Sequence, residues 1–223
     1  MHRLACVLGL LVAGCGEVKN GSQDAAPGSD ATPDTSVDGP APLNGIPALQ
    51  TNAGTGDLIG LCATGTFGWH FIPQQPVTIV QVSVLDAGPP GLEDAHEVGI
   101  FDLTGNLLAR ATVDKMSPTA GQFRKVPIAP LALNPNQTYV VAMTNPGQAH
   151  TSVPGSCSDA FATTDQTANA IVVDGVFTYK GVASEDTTNA ADPTALVFPD
   201  QFPPSSTTAF RVGPSFEYAP PPN

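Results

Sequence analysis

From about residue 50 onward, apolar and polar positions alternate in short runs. In "TFGWHFIP", Phe67, Trp69 and Phe71 fall on one face and His70 on the other. "PVTIVQVSVLDA" places Val80, Val82 and Val84 on one side and Ile79, Gln81, Ser83 and Leu85 on the opposite side. A period of two marks a strand with one face against a core. "HEVGIFDLTGNLLARATV" reads as two such runs joined through Thr104, Gly105 and Asn106, residues that accept the backbone of a tight hairpin. Further runs are "FRKVPI", "QTYVVAMTN", "NAIVVDGVFTYKG", "TALVF" and "TAFRVGPSFEY", separated by the turn signals "NPNQ", "TNPG" and "PPSS". No stretch carries a 3.6-residue apolar period, and "PGLEDAH" has room for one helical turn at most. The pattern predicts an all-β chain folded as a single β-sandwich or barrel.

Composition agrees. The chain has 223 residues, enough for one domain with appendages. Only 13% of them are charged, and 23 prolines and 22 glycines supply many connections, a poor mix for helix surfaces. The net charge of −12 comes with 8 basic residues, too few and too scattered to neutralise phosphates. Nucleic acid is excluded as a partner, and so is a polybasic membrane patch.

The first residues say something different. His2 and Arg3 precede "LACVLGLLVAG", about ten apolar residues that span only ~15 Å as a helix, half a bilayer core. That is the size of a signal-peptide core. "LVAGC" resembles the lipobox of bacterial lipoproteins. Small residues at Ala13 and Gly14 admit the peptidase, and the Cys15 thiol would carry the diacylglycerol. The competing reading is an ordinary signal peptide cut near Ala13. Gly16 follows the cysteine where an Asp would oppose it, and the resemblance then implies outer-membrane sorting. The expected organisation is a signal peptide at 1–14, a lipidated disordered tether at 15–50, a β-sandwich at 51–219 and a short tail at 220–223. The tether, "EVKNGSQDAAPGSDATPDTSVDGPAPLNGIP", lacks aromatics and cannot bury enough apolar area to offset its ordering entropy. With Cys6 removed and Cys15 lipidated, Cys62 and Cys157 remain. In an oxidising envelope they are expected to pair, with two free thiols as the alternative.

The folded part also carries a likeness. "FGWHF", "QPVTIVQVSVLDAG", "GLEDAHEVGIFDLTGNLLARATV", "FRKVPIAPLALNPNQTYVVAM" and "FRVGPSFEY", in that order, resemble a domain of unknown function found in secreted and surface-sorted bacterial proteins, many with a PEP-CTERM tail. The likeness spans roughly residues 58–218 and implies a jelly-roll sandwich of the carbohydrate-binding-module kind. The chain departs from it at Gly88, Pro89, Pro90 and Gly91, where relatives often carry a Gly-Asp-Gly, and its end "YAPPPN" has no PEP-CTERM tail.

Candidate chemistry is sparse. There is no G-x-S-x-G elbow, H-E-x-x-H, P-loop or EF-hand pattern, and no C-x-x-C. The densest polar cluster, "DAGPPGLEDAHEVGIFD", contains Asp86, Glu93, Asp94, His96, Glu97 and Asp102. Calcium takes six to eight oxygens, so Asp86, Glu93, Asp94 and Asp102 are candidate ligands of a structural Ca²⁺, the one candidate cofactor. The plainer alternative is a solvated acidic loop with His96 packed at a strand start. Trp69 is either a sugar-stacking platform or, from its alternation with Phe67 and Phe71, a core residue. The expected function is a non-catalytic, envelope-anchored module, monomeric, that binds a polysaccharide or a surface protein. A purely structural surface module and a hydrolase are the alternatives.

Overall fold

The computed structural model describes residues 44–51, 59–60, 64–86, 91–146, 161–163, 171–188, 190–192, 194–202, 210–211 and 213–219. Cys15, Cys62 and Cys157, most of the tether, His150 and Ser156 lie outside the described residues. The strands are β1 (Ile46–Pro47), β2 (Leu49–Thr51), β3 (Ile59–Gly60), β4 (Gly65–Pro73), β5 (Val77–Leu85), β6 (His96–Asp102), β7 (Leu107–Val113), β8 (Thr119–Ala120), β9 (Phe123–Leu133), β10 (Tyr139–Asn145), β11 (Phe161–Thr163), β12 (Ile171–Val173), β13 (Phe177–Asp186), β14 (Phe210–Arg211) and β15 (Pro214–Ala219). No helix occurs among the described residues. The fold is an all-β sandwich.

One sheet runs β1-β15-β5-β9-β8 and the other β13-β4-β10-β6-β7, with every pairing antiparallel. Between them the chain crosses repeatedly, from β4 to β5, β5 to β6, β7 to β8 and β9 to β10, as in a jelly roll. Two small sheets, β14-β11-β3 and β12-β2, complete the set. The core is aromatic. Trp69 and Phe71 of the second sheet meet Phe216 of the first at ring-centroid distances of 5.7 and 4.8 Å, and Phe177 meets Phe216 edge-on at 5.2 Å. Trp69 is fully buried, and its indole Nε1 donates to the Pro214 carbonyl of the opposite sheet at 2.8 Å. A buried indole needs such an acceptor, and its burial leaves no ring face for a sugar.

Two expectations change on folding. The β5 alternation breaks at Val80. Ile79 pairs with Tyr218 and Leu131, Gln81 with Glu217 and Pro127, and Val80 is skipped. This bulge puts Val77, Ile79, Val82 and Val84 together in the core, whereas strict alternation sets Ile79 opposite Val82. The tether also gives way to structure earlier than residue 51. Ile46 and Pro47 pair with Tyr218 and Glu217 at the sheet edge, and Leu49 is buried in the core. Their Pro-rich context reads as linker, and pairing supplied from far along the chain overrides it.

The outer face of the second sheet is covered too. Residues 196–202 form a strap across it. Leu196 and Phe198 pack on Phe101, Val140, Ala142 and Ala183, and Phe202 stacks on His70 at 5.1 Å. Ser184 and Gln201 exchange backbone hydrogen bonds of 3.0 and 3.1 Å that pin the strap to β13. His70 therefore faces a second layer, and its burial there pushes the imidazole pKa below its ordinary value.

Candidate functional site: a cleft on the outer face of the first sheet

Phe216 and Tyr218 point into the core, so Ser215 and Glu217, alternate residues of the same strand, point outward. Ser83 lies directly across from Ser215, and Gln81 across from Glu217. An outward polar row of this kind normally meets water. Here it is buried: Ser215 is 1% exposed, Ser83 4%, Gln81 6% and Glu217 9%.

Two pieces of chain account for the burial. Residues 45–50 lie over one side of the row. Gly45 permits this approach, since a Cβ there would sit 2.5 Å from the Glu217 Cβ and 2.9 Å from its Oε2. The β8–β9 hairpin rises on the other side. Between them is a cleft of about 300 Å³ with Ser83, Ser215 and Glu217 in its floor. Pro47, Leu49 and Gln50 form one wall, and Ala120, Gly121, Gln122 and Phe123 form the other.

The floor's electrostatics are specific. Lys125 Nζ donates to Glu217 Oε1 at 2.9 Å, so the carboxylate charge is balanced. Glu217 Oε2 and Ser215 Oγ are both buried and find no hydrogen-bond partner among the described residues. Buried polar atoms are satisfied in the great majority of cases, so two such atoms on one strand beneath the cleft are unusual, and both are sealed from the cleft by the residues around them.

The four acidic candidates from the sequence are not brought together, and no cluster of metal-ligating side chains forms among the described residues. Asp86 Oδ2 accepts from Arg124 Nε at 2.7 Å, and its Oδ1 accepts from the Leu92 N–H at 3.0 Å. Asp102 turns back on its own hairpin, taking the Thr104 and Asn106 N–H groups at 2.8 and 3.0 Å and both side chains as well. The Asn106 and Thr104 side chains, with those amides, lower its pKa to about 2. Glu93 and Asp94 have partners of their own. His96 is buried at the start of its strand, with Nδ1 2.7 Å from the Thr144 carbonyl. Asp94 does line a second, larger groove of about 580 Å³, with Glu97, Arg110, Thr144, Asp192 and Thr194. In its lining Arg110 faces Glu97 at 3.8 Å, and Asp192 Oδ1 accepts from the Thr194 N–H and hydroxyl. The cleft over Ser215 is smaller but combines apolar walls with polar residues, and is taken as the candidate.

Sequence reasoning missed Ser215 and Glu217. In "GPSFEY" they read as the solvent face of an alternating strand, and what buries them lies roughly 90 to 170 residues earlier in the chain.

The chain matches the domain of unknown function DUF4082 over residues 62–192, more than half its length. It belongs to that family. No curated protein matches the chain. The DUF4082 match takes in β4 to β13, hence Ser83, Lys125 and the β8–β9 wall of the cleft. It leaves out β1, β2, β15 and the strap, so Ser215, Glu217 and the opposite wall come from outside the matched segment. The cleft is assembled where the family domain meets its own flanks.

Proposed function

We propose that this DUF4082 protein is a lipid-tethered, non-catalytic binding module of the bacterial envelope, anchored in the outer membrane through Cys15 and acting as a monomer. The observation that carries the binding half is the cleft of about 300 Å³ on the outer face of the first sheet, lined by apolar Pro47 and Phe123 beside polar Gln50 and Gln122. The anchoring half rests on the lipobox likeness of "LVAGC" and the tether composition. A non-catalytic role is supported by what the carboxylates do. Asp86 holds Arg124, and Asp102, Asp114, Asp174, Asp186 and Asp192 each take the N–H groups of their own turns. A group committed to holding a turn is a poor general acid or base.

Two measurements test this. Full-length protein expressed in a bacterial host partitions with membranes, and Cys15→Ser moves to the soluble fraction. Membrane retention of the variant overturns the anchor. In pull-downs the wild-type chain is retained by envelope polysaccharide or by a surface protein. Retention by neither leaves the purely structural surface module as the reading.

A further inference from the structure

The strap of residues 196–202 lies over a trough that the second sheet builds from small residues. In register across four strands, Ala183, Gly68, Ala142 and Gly99 follow one another on the outer face. Leu196 seats there: a Cβ at Gly99 would come 2.7 Å from its Cδ2. The Val197 N–H donates to Thr66 Oγ1 at 3.3 Å, and Leu196 and Phe198 supply the apolar contacts. No charge is needed to hold this end of the strap.

The other end is different. Ser184 and Gln201 form an isolated antiparallel bridge, which sets the residue after Ser184 opposite the residue before Gln201. Those residues are Glu185 and Asp200. Two carboxylates directly opposite repel, which works against the bridge. Desolvation first, then the hydrogen bond and charge of Asp200, push the Glu185 pKa above its ordinary value. The other groups acting on Glu185 are the Gln201 amide, 3.4 Å from Oε2, and Asp186 on its own strand, neither of them a cation. Its register partner on β4, Thr66, is neutral. His70, stacked under Phe202 with Lys180 beside it, is the remaining titratable group at this end. Closure brings the two carboxyls together, so the closed strap holds the Glu185 proton more tightly than the open one, and acid favours closure.

We propose that the strap is a proton-latched cover: one proton shared between Glu185 and Asp200 fastens its 200–202 end, and loss of that proton toward neutral pH lets this end lift from His70 and β13.

Amide hydrogen exchange of the full-length, nitrogen-15-labelled protein in detergent tests the latch, at about pH 7.5 and about pH 5 with intrinsic rates divided out. The Ser184 and Gln201 amides donate the two bridge hydrogen bonds, and Val141 and Met143 at the centre of the same sheet serve as the reference. Relative to that reference, Ser184 and Gln201 gain about 2- to 5-fold in protection at the lower pH, the worth of relieving one cross-strand like-charge pair. Glu185→Gln and Asp200→Asn each show the higher protection at both pH values. Equal protection of the wild type at the two pH values overturns the proposal, as do variants no better protected than wild type at the higher pH. A pH effect arising from His70 would survive Glu185→Gln, and that result also removes the carboxyl latch.

Discussion

Asp102 shows how much one side chain organises. It accepts four hydrogen bonds from the turn that follows it, where Gly105 takes a φ of +86° that the hairpin requires. Those bonds favour the ionised form and lower its pKa to about 2, below the value of about 3.9 expected in the unfolded chain. A depressed folded-state pKa contributes stability that is present above the unfolded pKa and lost as pH falls through the folded one. The melting-temperature gap between wild type and Asp102→Ala is therefore constant from pH 7 to about 5 and closes between pH 4 and 2. A gap that does not change over that window rules the capping role out. Trp69 acts at the same scale. Trp69→Phe leaves the Pro214 carbonyl unpaired and opens a cavity at the centre of the aromatic core. It is expected to cost about 2 to 4 kcal/mol in urea unfolding followed by circular dichroism, and a loss below about 0.5 kcal/mol would contradict that picture.

Elements depart from their sequence pattern where another element decides. β5 reads as an unbroken alternation, but both neighbours skip Val80, and the bulge turns Ile79 inward with Val82. The stretch 184–194 reads as one long loop. Its first residues instead continue β13 to Asp186, and the turn beyond leads into the strap. Glu185 sits where the strap returns. Desolvation, and then its hydrogen bond and charge contact with Asp200, raise the Glu185 pKa. A carboxyl whose pKa rises on folding costs stability once pH exceeds its unfolded value, because the folded state resists the charge. Glu185→Gln is accordingly expected to raise the melting temperature at pH 7, with the advantage shrinking as pH is lowered toward 4. Equal melting temperatures at pH 7 would show that the strap tolerates the charge.

At the scale of the molecule, closure of the chain is the remaining question. β3 and β11 pair antiparallel, with Gly60 opposite Phe161. In the sequence Cys62 follows Gly60 by two residues and Cys157 precedes Phe161 by four. A bond between them closes a loop of about 95 residues, worth about 4 to 5 kcal/mol in the chain-entropy account. Non-reducing peptide mapping of the exported protein is expected to find the linked pair and reduction to lower the melting temperature; two alkylatable thiols would refute the bond.

Alternation, turn residues and composition were enough to determine an all-β sandwich, the Thr104–Asn106 hairpin and the inward face of β4, because each depends on residues a few positions apart. The charge of −12 with few bases was legible for the same reason: it is a property of the chain, whatever its path. Tertiary structure decided what depends on distant partners. It placed the Val80 bulge, drew Ile46–Leu49 into the domain and engaged Asp86 and Asp102 separately. It also buried Ser215 and Glu217 beneath segments from near the N-terminus and from the β8–β9 hairpin. A polar residue on a strand reads as solvent-facing until another part of the chain covers it, and that covering is what turns an ordinary sheet face into a cleft.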